Sequence, residues 1–105
     1  MIIYNVTIHL EESIENDWVN WMQNIHLHDV MNTGMFMRYE FSKMLTRQPD
    51  ETGVTYVVQY VAQDMAHYER YRDEFAPALQ QDGRTRFGEK FMAFRTLMET
   101  LTHES

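Results

Sequence analysis

Residues 2–10, IIYNVTIHL, alternate in character without a break. Ile2, Tyr4, Val6, Ile8 and Leu10 fall on one side of an extended chain, and Ile3, Asn5, Thr7 and His9 on the other. Successive side chains of a strand point to opposite faces, so the pattern predicts a strand with one face in the core. A strand of this kind needs further strands or a helix to bury that face, and the rest of the chain supplies both.

Ser13 is placed like a helix N-cap, with Glu15 and Asp17 in a first turn whose dipole favours anions. Ile14, Trp18, Trp21, Met22 and Ile25 recur at helical spacing and form one apolar stripe. Leu27, Val30 and Met31 form a second stripe in a new phase, which predicts that the helix ends or kinks around His26. Gly34 stands where a C-terminal cap is expected. In MFMRYEFSKMLTR, Met35, Met37, Tyr39 and Phe41 share a face opposite Arg38, Glu40 and Ser42, which reads as a second strand. QPDETG has turn chemistry, and VTYVVQYVAQ reads as a third strand paired with the second in a hairpin.

Asp64 can cap a second helix whose stripe is Met65, Tyr68, Tyr71, Arg72 and Phe75. Pro77 is expected to bend or interrupt it, since an interior proline removes a hydrogen bond and clashes with the preceding turn. Gly83 weakens the helical signal further on, and KFMAFRTLMETL closes the chain as a fourth strand. The order β-α-β-β-α-β predicts an α+β, ferredoxin-like domain over residues 1–105, a four-stranded antiparallel sheet with two helices on one face.

The helices cover one face of such a sheet. The other carries Ile3, Val57 and Val61 with Phe or Met residues from strands two and four, too apolar for water alone. We therefore expect a homodimer packed sheet against sheet, a dimeric α+β barrel, with a cavity between the sheets lined by Asn5, Thr7, His9 and Gln59.

The net charge of −7 argues against nucleic acid and against anionic membrane surfaces as partners. With no cysteine there is no thiolate nucleophile, disulfide or zinc–cysteine site. MIIYNV lacks the pattern of a signal peptide and no apolar run is long enough to span a bilayer, so a cytoplasmic location is expected. Six of the nine basic residues lie between Arg70 and Arg95, a distribution that fits surface pairing with nearby acids better than an anion site at GRTRFGEK.

Three segments carry a family resemblance: IIYNVTIHLEESIENDWVNWMQNIHLHDVMNTGMF, VTYVVQYVA and RFGEKFMAFRTLME. Together they resemble a family of short bacterial proteins known as a domain of unknown function, similar in fold to the dimeric α+β barrel proteins. The resemblance implies fold and dimer and brings no catalytic residues with it. The wider superfamily includes heme-degrading and antibiotic-biosynthesis monooxygenases. Its heme-degrading members resemble this chain in an Asn on the first strand, where Asn5 stands. They also have a Trp near the end of the third strand and a His on the second helix. Here QYVAQD has Tyr60 in place of Trp, and His67 lies only at the start of its helix, so one of three features is present.

Among chemistry-bearing residues, His26 and His28 would lie about 200° apart on a helix, so the pair cannot chelate one metal. His26 is expected to cap helix carbonyls, Trp18 to be core, and Trp21 to sit at the stripe's edge. The reading is a ligand-binding or protein-interaction domain with no metal or cofactor expected. Asn5, Thr7, His9, Gln59 and Tyr60 are its cavity candidates, with Trp21, His26 and His28 behind them. The alternative is a monooxygenase-like or heme-binding enzyme using the inter-sheet cavity through Asn5, His9 and Tyr60.

Overall fold

The computed structural model describes residues 1–104. Strands β1 (Ile2–Leu10), β2 (Arg38–Lys43), β3 (Val54–Ala62) and β4 (Phe91–Glu99) form one antiparallel sheet in the order β2-β3-β1-β4. Between β1 and β2 run α1 (Glu15–Trp21), a π-helical turn (Met22–His26) and α2 (Leu27–Asn32). Between β3 and β4 run α3 (Met65–Arg70), a second π turn (Tyr71–Phe75) and α4 (Ala76–Phe87). This is the expected ferredoxin-like α+β arrangement.

The alternation in β1 is realised along its whole length: Ile2, Tyr4, Val6, Ile8 and Leu10 are buried against the helices, as are Val54, Tyr56, Val58, Tyr60 and Ala62 of β3. Trp18, Leu10, Leu27, Val30 and Val58 are the largest fully enclosed side chains. An aromatic cluster of Tyr4, Phe36, Tyr60 and Tyr71 fills one end, with ring centroids 4.8–6.0 Å apart.

Several local expectations are corrected. The first helix neither ends nor breaks at His26. Leu27 N–H donates to the Met22 carbonyl five residues back, and the wider turn carries the helix into its new phase. Leu27 and Val30 are therefore core, while Ile25, placed in the stripe by uniform helical spacing, is 39% exposed. Ser13 is not the N-cap; it lies in a 3-10 turn (Glu12–Ile14) ahead of α1 and makes only a long bond to Glu11.

Pro77 does not interrupt the second helix. The π turn before it places Pro77 in the first turn of α4, where its missing N–H costs nothing. Gly83 lies buried within α4 facing the Trp21 ring, from which a Cβ would stand 3.4 Å, so the glycine lets the indole pack directly on the helix. In the 35–47 segment only Arg38–Lys43 is strand. Phe36 rather than Met37 enters the core, because the regular alternation starts only at Arg38.

Asp64 caps α3 as expected, accepting from His67 N at 3.0 Å, and Gly34 closes α2 with φ of 78°. Gly53 has φ of 82° and lies so close to the Leu10 carbonyl that a Cβ would sit 2.6 Å from it, which demands glycine in the hairpin.

Candidate functional site

The sheet's two faces divide the candidates. On the outer face, cross-strand pairing sets Glu40, Gln59, Asn5 and Thr96 in one polar row. An apolar row of Val61, Ile3 and Met98 lies on one side of it, and Val57, Thr7 and Phe94 form the row on the other. Asn5 donates to Thr7 Oγ1 at 3.2 Å, and His9 Nδ1 bonds Thr55 Oγ1 at 2.9 Å. Asn5, Thr7, His9 and Gln59 thus share the outer face, as alternation requires. Tyr60 does not join them: it points to the helix side, and the trio Asn5, His9 and Tyr60 is split by the sheet.

A half-open pocket lies on the helix side. It has a volume of about 60 Å³, its floor made by Tyr4, Val6, Ile8, Val58 and Tyr60. Trp18, Trp21 and Met22 wall it from the first helical arm, and Tyr71, Leu79 and Gly83 from the second. His26, Gln80 and Arg95 supply further polar groups. Both π turns contribute to this wall, Met22 and His26 from one and Tyr71 from the other. Such turns recur at functional sites because they turn side chains out of the α-helical phase.

Trp21 and His26 are the polar centre of the wall. Their rings stack with centroids 4.6 Å apart, and the Arg86 guanidinium covers the indole at 5.7 Å. Trp21 Nε1 and His26 Nδ1 are buried and have no hydrogen-bond partner among the described residues. His26 was expected to cap carbonyls; with Nδ1 unpartnered and the helix continuing, it does not. Burial lowers the pKa of His26, opposed by Asp29 and Asp82 and assisted by Arg95, so the imidazole is neutral near pH 7. His28 is exposed and takes no part in the pocket.

Arg95, missed by the sequence reading, stands on the helix-facing side of β4 opposite Val6. It lies near the Tyr4 hydroxyl, whose pKa is raised by burial and partly restored by Arg95. The signal was available: in KFMAFRTLMETL the alternation that puts Phe91 and Ala93 inward puts Arg95 inward too. Among the other basic residues, Arg70 pairs with Glu74, Arg72 with Asp73 and Arg86 with Asp82, and Arg84 of the GRTRFGEK segment donates to the Gln81 side chain.

A second hollow, about 580 Å³ and open, lies at the sheet's end between His9, Glu11, Glu51, Glu89 and Lys90. It is a wide charged surface rather than an enclosed site. No group of three or more His, Cys, Asp or Glu among the described residues is placed to hold a metal ion. Among the described residues no helix is long and apolar enough to cross a membrane.

The fold is shared with solved structures of low sequence identity. MhuD, in a mutant with two manganese protoporphyrin IX bound per active site, is 12% identical with a TM-score of 0.70, covering 100% of this chain and 99% of that one. A dimeric ferredoxin-like protein from an uncultured marine organism is 12% identical with a TM-score of 0.68, covering 100% and 99%. SnoaB, a cofactor-independent oxygenase from Streptomyces nogalater, solved as a mutant, is 13% identical with a TM-score of 0.66, covering 97% and 95%. No curated protein matches the chain significantly. Residues 1–101 match the family described as Domain of unknown function (DUF4286), and the chain belongs to that family.

Proposed function

We propose that this protein binds a small organic molecule in the helix-side pocket and works as a homodimer paired through the outer face of its sheet. The observation that carries the first half is the pair of buried, unpartnered polar atoms, Trp21 Nε1 and His26 Nδ1, on a pocket otherwise walled by aromatic and aliphatic side chains. Buried polar groups without partners cost free energy, and a ligand that bonds them removes that cost. For the second half, Met92, Phe94 and Met98 of β4 are 60%, 58% and 42% exposed, opposite His9, Thr7 and Ile3 of β1, a largely apolar strip that favours a partner. The dimeric ferredoxin-like protein from the marine organism supports a second copy as that partner.

A porphyrin does not fit this site. About 60 Å³ is well below the roughly 300–1,000 Å³ of pockets for drug-sized ligands, and Asn5 faces away from Tyr60. Catalysis in the same pocket, by an oxygenase of SnoaB's kind, is the second reading. It is favoured by neutral His26, whose buried Nδ1 could accept a proton from a bound substrate.

Light scattering and tryptophan fluorescence test the proposal together. The wild type should run as a dimer and Phe94→Lys as a monomer. Phenol should perturb the emission saturably, and Ala93→Leu, which fills the pocket, should abolish the response. A monomeric wild type removes the sheet-face reading, and an unresponsive emission removes the pocket reading.

A further inference from the structure

Resting on the pocket reading above, the geometry points to a small, ring-bearing organic anion as the ligand, its negative group held by Arg95 and its ring seated on the Tyr4, Val6 and Tyr60 floor.

Arg95 is the odd arginine of the 70–95 region. The other arginines of the 70–95 region lie on helices, where three pair with neighbouring carboxylates and Arg84 bonds Gln81. Arg95 is carried by a strand, on the face that elsewhere holds Phe91, Ala93 and Leu97, and it forms no ion pair among the described residues. Asp29 and Asp82 act on His26, but neither pairs with Arg95, and Asp82 is engaged by Arg86. A guanidinium beside an apolar pocket, bonded to the neutral Tyr4 hydroxyl and without a carboxylate partner among the described residues, matches a carboxylate or comparable oxyanion.

The remaining polar groups agree in sign. Trp21 is 7% exposed, and its unpartnered Nε1 can only donate. The Gln80 amide lines the same pocket and offers two donors. Tyr60 and Tyr71 are held protonated by burial, Tyr71 with its pKa raised far above the ordinary value, so their hydroxyls add no competing negative charge. No carboxylate lines the pocket.

The ring follows from the floor and from size. Tyr4 and Tyr60 present stacked rings 5.8 Å apart, a surface that favours another planar group. The pocket of about 60 Å³ is smaller than the roughly 150 Å³ that admits benzene in an apolar cavity, so one ring is the upper limit. Met22 and Leu79 must move to seat it, and the soft torsions of Met22 make that cheap.

Benzoate and benzamide share a ring and differ in charge, so they separate this inference from the pocket reading. Titrations of the full chain are read by tryptophan emission and by the indole N–H resonances, with Trp21 assigned through Trp21→Phe. Benzoate should bind roughly ten- to a hundredfold more tightly than benzamide and should shift the Trp21 indole proton. Arg95→Gln, an exposed site compatible with folding, should erase that preference and leave benzamide unchanged. Equal affinities in the wild type would overturn the anion and spare the pocket. Benzoate binding that survives Arg95→Gln would do the same. Failure of both ring probes to bind would overturn both readings.

Discussion

Leu27→Ala and Ile25→Ala, two residues apart, should differ sharply in cost, and the difference tests the π turn directly. Leu27 is 1% exposed, and truncation removes about three carbons at ~0.8 kcal/mol each, plus a cavity, for about 3–4 kcal/mol. Ile25 is 39% exposed, so the same truncation loses only about 1.5 kcal/mol and leaves no sealed void. The better helix propensity of alanine offsets about 0.5 kcal/mol of that, for a net of about 1 kcal/mol. Thermal unfolding at one fixed protein concentration should therefore lower the Tm by more than about 10 °C for Leu27→Ala and by at most about 8 °C for Ile25→Ala. Equal losses, or a larger loss at Ile25, would mean that the α-helical phase runs unbroken past Met22 and would refute the reasoning.

Burial lowers the pKa of His26, so the unfolded chain binds the proton more readily. The stability tied to neutral His26 is present above about pH 6.5, the unfolded value, and falls as pH drops toward the folded one. His26→Gln should flatten that slope in denaturant titrations at pH 5 and pH 7.5, and an unchanged slope would count against a buried neutral ring. The Glu15 carboxyl is held below the usual carboxylate range by bonds from Lys43 at 2.8 Å and Tyr56 at 2.7 Å, so its contribution is present above about pH 4.5 and lost in acid. Tyr56→Phe should cost about 1 kcal/mol in urea unfolding at pH 7, with a smaller difference from wild type at pH 3. Gly83→Val should abolish ring-probe binding by driving against Trp21, detectable as a changed Trp21 indole resonance; an unaltered resonance and affinity would place the pocket elsewhere.

The sequence made the sheet readable because its faces obey period two: the inward set of β1 is the buried set, residue for residue. The change of helical phase after Met22 was visible too, as Leu27 and Val30 falling off the Trp18 stripe. Its cause was not, since a wider turn and a broken helix leave the same mark on spacing. Pro77 misled in a similar way, because its cost depends on whether the residue sits within a helix or in the first turn after a π turn. The site was harder. Polar residues on an outer strand face drew notice to Asn5, Thr7, His9 and Gln59, while the pocket arose from Gly83, Trp21 and Arg95, residues far apart in the chain. Trp21 and His26 were noticed from sequence as minor candidates, and it took the packing of two helical arms to bring Tyr60 and Arg95 beside them.

A π turn holds one residue more than the α-helix needs to connect the same two ends. Each helical arm here could therefore lose a single exposed residue of its π turn, such as Gln23 or Asp73, and still present Leu27, Val30 and Ala76 to the core. What would change is the pocket wall alone. Single-codon insertions and deletions, usually ruinous inside a helix, thus become a means of reshaping this binding surface while the sheet beneath it is left untouched.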